Sequence, residues 1–266
     1  MRVEEGEVAE AWGDPQLVTF MRSAAKPLQA LPLARAYKSL SPEELAIACA
    51  SHGAAPEQLE AVKVLLARSW SSEDDLECGP VDGSRLRHNC SGKHAGMLAV
   101  CAVRDWPRAG YRLPSHPLQR EIAALVAEAA GATSELPTAT DGCGVVTFAL
   151  PLAQMASAFA RLAAGEFEEA DRIAGAMTAL PELVEGPGRT ATEVMKALPG
   201  VIAKGGAEGL LCVGYPDGVG FALKCEDGSS RPLGPAAGFL LGVSALAETP
   251  ITNSRGDEVG RVVAEA

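Results

Sequence analysis

Ser23-Ala24-Ala25-Lys26 sets a hydroxyl and an amine three residues apart, a spacing that puts both on one face of a helical turn. A serine hydroxyl attacks poorly at neutral pH until a base takes its proton. A lysine serves as that base once burial penalises its charged form and lowers its pKa. Leu17, Val18, Phe20, Leu28 and Leu31 supply apolar surroundings for the pair. A second lysine, Lys204, precedes Gly205-Gly206. Between His88 and Met97 the chain crowds Cys90, Lys93 and His94 at a loop-to-helix junction. The backbone N–H groups of such a helix start favour a thiolate or a bound anion. Thr140-Asp141-Gly142-Cys143-Gly144 adds a carboxylate and another thiol. Thiolate, carboxylate and imidazole are all zinc ligands. No CxxC pair is present, however, and Cys90 and Cys143 are equally compatible with buried apolar thiols.

The elements that position these groups follow from periodicity and capping. Gln16 to Arg22 predicts a strand running into the Ser23 turn, with Leu28 to Tyr37 continuing at helical spacing. Ser41-Pro42-Glu43-Glu44 is a helix start with an N-cap serine, a first-turn proline and a glutamate at the third position. Further helices are expected over residues 55–66, from Ser91 or Gly92 to Val103, and over 116–130, 151–164, 167–180 and 191–198. Pro137 to Gly144 reads as a turn-rich stretch. Gly200 to Lys204, Gly209 to Tyr215 and Gly218 to Glu226 alternate between glycine pairs and predict adjacent antiparallel strands. Arg231 to Ala247 predicts a final long helix and Gly260 to Ala264 a closing strand. The fold class is α/β of the α+β kind, an antiparallel sheet flanked by helices. One domain over residues 1–266 is expected, its sheet built from both ends of the chain around a helical insertion at about 41–198.

Composition excludes several partners. Hydrophobic residues are 47% of the 266 and charged residues 21%, enough apolar surface for a substantial core. The net charge of −11 argues against nucleic acid. No apolar run approaches the length of a membrane span. The seven cysteines are odd in number and irregular in spacing, unlike a disulfide framework. Met1 to Ala11 is acidic and lacks the basic and apolar regions of a leader. A cytoplasmic location is the expectation.

Taken in order, Arg22-Ser23-Ala24-Ala25-Lys26-Pro27, Cys49-Ala50-Ser51-His52, Asn89-Cys90-Ser91-Gly92-Lys93-His94-Ala95-Gly96-Met97 and Thr140-Asp141-Gly142-Cys143 resemble the rhizobial-type L-asparaginases. The likeness continues through Pro181-Glu182-Leu183-Val184 and Lys204-Gly205-Gly206-Ala207-Glu208-Gly209 to Leu223-Lys224-Cys225-Glu226-Asp227-Gly228. The resemblance implies a fold like that of serine β-lactamases and serine-type glutaminases, and a homodimer. It implies two serine–lysine tandems, Ser23 with Lys26 and Ser51 with Lys204. It also implies a zinc ion on Cys90, Lys93 and Cys143, with Asp141 holding the substrate's amino group and His94 in the same pocket. Two departures stand out. Members usually carry a strand or two before the one at Leu17 to Arg22, and almost nothing precedes it here, which implies either a misassigned start or a sheet short by an edge. Some members also have a cysteine in the stretch matching Gly188-Arg189-Thr190-Ala191-Thr192, which this chain lacks.

The expected activity is hydrolysis of the asparagine side-chain amide to aspartate and ammonia through an acyl-enzyme. Ser23 attacks and Ser51 and Lys204 relay protons, or the two serines exchange roles. A serine β-lactamase or other penicillin-interacting enzyme shares the SxxK signature. Against it stand the missing leader, the absence of Ser-Asp-Asn, and a glycine where such enzymes carry Lys-[Thr/Ser]-Gly. A non-catalytic amino-acid-binding module on the same scaffold has no need of Ser23, Lys26, Ser51 and Lys204 together.

Overall fold

The computed structural model describes residues 1–265. Its strands are β1 (Arg2–Glu4), β2 (Glu7–Glu10), β3 (Val18–Phe20), β4 (Thr138–Thr140), β5 (Val146–Pro151), β6 (Ile202–Gly206), β7 (Leu210–Gly214), β8 (Gly220–Lys224), β9 (Glu248–Thr252) and β10 (Glu258–Val263). The largest sheet runs β2-β1-β8-β7-β6 with antiparallel neighbours throughout. The architecture is α+β, as the sequence predicts. The three glycine-punctuated stretches of the C-terminal part form β6, β7 and β8, and β6, which carries Lys204, is an edge strand.

The expectation of a sheet missing its N-terminal edge is overturned. Residues 2–10 form a hairpin that adds β1 and β2 to the large sheet, with Arg2 opposite Phe221 and Val3 opposite Gly220. Glu5 and Gly6, at φ +52° and +81°, make its two-residue turn with both central residues left-handed, the geometry that matches strand twist. Only Val3 of these two strands is buried, and three of the other six residues are glutamates facing water. An acidic hairpin of this kind carries almost no apolar alternation for a sequence reading to find.

A second correction concerns the strand before Ser23. β3 does not join the large sheet but pairs with β5 in a separate sheet ordered β3-β5-β4. The segment between residues 41 and 198 is therefore not wholly helical. β5 is buried almost throughout, so its run Val-Thr-Phe-Ala-Leu-Pro lacks the alternation of a half-exposed strand. Among the described residues β10 pairs only with β9, in a ribbon apart from the main sheet. The final helix spans Leu233–Leu241, where Gly242 in the left-handed conformation caps it.

Helices fill the remaining space largely where expected, at Pro42–Ala48, Pro56–Ala67, Ser91–Val103, Pro117–Ala129, Leu152–Ala163, Ala170–Ala179 and Thr190–Ala197. The Ser41 start forms a reciprocal cap: Ser41 Oγ accepts from the Glu44 N–H at 3.3 Å, and Glu44 accepts from the Ser41 N–H at 2.9 Å. The helix Ser91–Val103 runs through the core against Pro42–Ala48. A Cβ on Gly92 would lie 2.1 Å from the Ile47 carbonyl oxygen, so only glycine permits this approach. That contact fixes where the first turn of the helix, with Cys90 and Lys93, stands relative to Ser51.

Candidate active site

A cleft of about 370 Å³ is walled by the turn holding Ser23, the loop holding Ser51, Asn89 from a separate loop, the stretch from Glu185 to Ala191, and the end of β6 at Gly205 and Gly206, with the start of β7 and residues near Ser230 closing it. Ser23 sits in a 3₁₀ turn, Arg22–Ala25, directly after β3, and Lys26 opens the short helix that continues it. Arg22 holds φ +51°, a strained conformation for a residue with a side chain, immediately before the candidate nucleophile. Its N–H is tied to Thr147 Oγ1 of β5 at 3.0 Å.

Ser51 follows the helix Pro42–Ala48 and is strung between two neighbours. Its N–H donates to the Val184 carbonyl at 2.8 Å, and the next N–H, of His52, donates to the Asn89 carbonyl at 3.2 Å. Both lysines then meet on its hydroxyl. Lys26 Nζ and Lys204 Nζ each lie 2.9 Å from Ser51 Oγ, and both lysines are fully buried. Lys26 Nζ also donates to the carbonyls of Ala50, at 2.6 Å, and Asn89, at 3.5 Å. The remaining partners of Lys204 Nζ are the Glu185 carboxylate and the Gly205 carbonyl, the latter at 3.0 Å.

The arrangement differs from two separate tandems. Neither lysine is hydrogen-bonded to Ser23, and Lys26 reaches past it to the carbonyl of Ala50 and the hydroxyl of Ser51. A long, flexible stem lets the buried amine seek the strongest acceptors in reach, and a backbone carbonyl outcompetes a hydroxyl that faces the cleft. Burial lowers the Lys26 pKa to about 8, with the charges of Lys204 and Lys93 adding to the effect against the opposing pull of Cys90 and Cys143.

Behind this centre lie the cysteines. Cys90 is the N-cap residue of the helix Ser91–Val103, and Cys143 lies in the turn between β4 and β5. Lys93 Nζ is 3.2 Å from Cys143 Sγ. The Cys143 thiol as hydrogen-bond donor pulls Cys90 well below the ordinary thiol range, helped against burial by Lys26, His88 and Lys93. Cys143 is correspondingly pushed up. Burial opposes the charge on Lys93, yet Cys143, Cys90 and Asp141 outweigh it and raise its pKa. Lys93 and the two cysteines thus come from two separate stretches of the sequence to one buried spot beside the cleft. Among the described residues, no group of three or more histidine, cysteine, aspartate or glutamate side chains is placed to hold a metal.

Asp141 stands beside Cys143, while His94 is turned away from the cleft. The Asp141 carboxylate is engaged by Arg22 Nε at 2.5 Å and by the Gly142 N–H at 2.9 Å, and Arg22 reaches on to Glu208 at 2.9 Å. Its second oxygen lies 3.9 Å from Cys143 Sγ. His94 is wholly buried, with Nδ1 2.6 Å from the Tyr111 hydroxyl and Nε2 without a partner. It is not among the residues that line the cleft. Burial, followed by the Lys93 charge, holds it neutral, well below the ordinary histidine pKa. A helix residue one position after Lys93 points to a different side, and for His94 that side is the core.

Glu185 and Arg22 are the polar residues that sequence reasoning passes over. Arg22 lies inside the SxxK context and is visible there only as a neighbour. Glu185 ends the Pro181-Glu182-Leu183-Val184 stretch, and no spacing links it to Lys204.

The L-asparaginase II family model matches residues 2–264. The chain belongs to this L-asparaginase family. The match takes in every segment of the cleft and both cysteines. No curated protein matches the chain. Family membership supports an amidohydrolase with an amide substrate and general L-asparaginase activity. No helix among the described residues is long and apolar enough to cross a membrane.

Proposed function

We propose that this L-asparaginase family member hydrolyses the side-chain amide of L-asparagine by serine–lysine chemistry. The observation that carries the reading is the meeting of Lys26 and Lys204 on Ser51 Oγ, in the wall of a cleft shared with Ser23. Ser23 faces the cleft with neither lysine on its hydroxyl, which leaves its oxygen free to approach a carbonyl carbon. Its proton passes by way of Ser51 to neutral Lys26 as the Ser23 Oγ–carbon bond forms. The resulting Lys26 ammonium returns the proton to the amide nitrogen, the carbon–nitrogen bond breaks, and ammonia leaves. Water then attacks the ester by the same relay, giving aspartate and free serine.

A second reading gives the attack to Ser51, favoured by its direct bonds to both lysines. There Lys26 takes the proton and Lys204 stabilises the developing alkoxide.

Cys90, Lys93 and Cys143 are the proposed zinc ligands, with Asp141 beside them for the substrate's ammonium. A zinc ion held there would supply a fixed positive charge next to the cleft. The reading extends to a homodimer in the cytoplasm, where a reducing compartment keeps thiols free, as all seven are here.

Ammonia release from asparagine, by wild type and by Ser23→Ala, is the deciding assay. Turnover by wild type that is lost in the variant supports the reading. No turnover by wild type ends it.

A further inference from the structure

Two buried lysines contact one hydroxyl at equal distance, and only one of them has a carboxylate. Lys204 Nζ is ion-paired with Glu185, itself 9% exposed. The partners of Lys26 Nζ are two carbonyls and the shared hydroxyl. Two ammonium groups within two hydrogen bonds of each other repel strongly in a medium stripped of water, so the position of the single carboxylate decides which keeps its charge.

We infer that Glu185 is a positioning residue that divides the work of the two lysines, holding Lys204 as a charged donor on Ser51 and leaving Lys26 to accept the proton. The inference rests on the serine–lysine reading proposed above. Three further contacts tie Glu185 to this task. The Gly205 N–H donates to Glu185 Oε1 at 2.8 Å, so the carboxylate bridges the amine and the backbone of the same strand. A Cβ on Gly205 would come within 3.0 Å of that oxygen, tighter than ordinary contact, so the glycine after Lys204 makes room for the carboxylate. Serine or threonine at this position would crowd Glu185. Lastly, Val184, its chain neighbour, accepts the hydrogen bond from the Ser51 N–H, so backbone joins the carboxylate rigidly to the serine it serves.

The charges on Glu185 agree. Burial pushes its carboxyl up, but Lys204 as charge and donor, the Gly205 N–H and the Arg189 charge outweigh burial and leave it below the ordinary carboxylate value. The charged or titratable groups facing Lys26 are Lys204, Lys93, Cys90 and Cys143, with His52 and Cys49 also in its field. None of these is a carboxylate.

Glu185→Gln keeps the shape and removes the charge. In the full chain with asparagine as substrate, kcat is expected to fall at least about tenfold while KM changes less than about threefold. The acid-side midpoint of kcat/KM is expected to move to higher pH by about half a unit or more, because without the carboxylate on Lys204 the charge that the two lysines contest is free to settle on Lys26. Glu185→Asp should restore part of kcat. A merely structural role would lower thermal stability and the active fraction without moving the midpoint, and that result overturns the inference, as does a wild-type profile. Should wild type fail to hydrolyse asparagine, the proposed function falls, but Glu185 is still tested by the ¹³Cε titration of Lys26, assigned with Lys26→Met. A midpoint that moves to higher pH in Glu185→Gln supports the inference, and an unmoved or lowered one overturns it.

Discussion

Lys26 Nζ lies 2.9 Å from Ser51 Oγ, and no hydrogen bond joins it to Ser23, the serine that precedes it in its own SxxK run. The lysine thus serves a hydroxyl brought in by another loop. The two serines can be separated by experiment. Ser23→Ala is expected to lower kcat by at least about 10²-fold with the fold intact, and Ser51→Ala by a similar order, since each breaks the proton path. An electrophile that forms a stable ester should label the peptide containing Ser23 in wild type and in Ser51→Ala. A label on the Ser51 peptide would transfer the nucleophile's role to Ser51.

The Lys26 base sets the pH profile. It accepts a proton only when neutral, and burial lowers its pKa to about 8. Activity is therefore expected to fall as pH drops through about 8, far below the midpoint of a free lysine. A rate constant from acid to pH 10 would exclude Lys26 as base. The same depression costs stability. Between about 8 and the ordinary lysine value of 10.5 the unfolded chain holds a proton that the folded chain has lost. Across that window this residue makes stability rise with pH, and below it the cost is on the order of 3 kcal/mol. Lys26→Met removes the buried charge but leaves the Ala50 carbonyl without a donor, a loss of about 1–3 kcal/mol. Activity should vanish while the melting temperature stays level or rises. A drop of more than about 5 °C would show that the amine stabilises the fold more than it strains it.

Much of this centre is legible in the sequence because local rules govern it. The Ser41 cap, the helix from Ser91 and the three glycine-bounded strands each depend on residues close in sequence, and each stands where its pattern puts it. What sequence reasoning misses depends on tertiary contact. Residues 2–10 become strands only because β8 offers an edge, and β5 hides its period by burying both faces. The pairing of the lysines follows the same logic. Helical spacing places Ser23 near Lys26, but the carbonyl of Ala50 and the bond from Ser51 to Val184 decide where the amine goes. Glu185 and Lys204 are joined only by the fold, so neither composition nor spacing marks Glu185.

Asp141 offers a test of substrate recognition. One of its oxygens is bound by Arg22 and Gly142, leaving the other, beside Cys143, for a ligand. Asp141→Asn keeps an acceptor for both partners and removes the charge that would meet an α-ammonium. KM for asparagine is expected to rise about tenfold, or roughly 1.4 kcal/mol, with a smaller effect on kcat. Succinamic acid, which has the same amide and lacks the amino group, should lose nothing by the change. An equal penalty on both substrates would show that Asp141 supports the loop instead of reading the ammonium.

The cysteines give the metal prediction. Cys90 and Cys143 come from distant parts of the chain, yet Lys93 Nζ lies 3.2 Å from Cys143 Sγ, and Cys143 pulls the Cys90 thiol well below its ordinary range. Both are buried, and a purely apolar role would leave two thiols and an amine packed together with no reason for the amine. An amine beside two sulfurs is an expensive group to bury unless it is charged and paired, or bound to a metal. Purified protein is expected to carry about one zinc per chain by elemental analysis. Cys90→Ala and Cys143→Ala should each reduce that below about a tenth and weaken asparagine binding. Each removes only a small apolar side chain, so the melting temperature of the metal-free proteins should change by a few degrees at most. Lys93→Met keeps the packing volume and removes the amine, and it should lose zinc as well. Full zinc in all three variants would move the metal elsewhere or remove it from the mechanism, and the serine–lysine relay would stand without it.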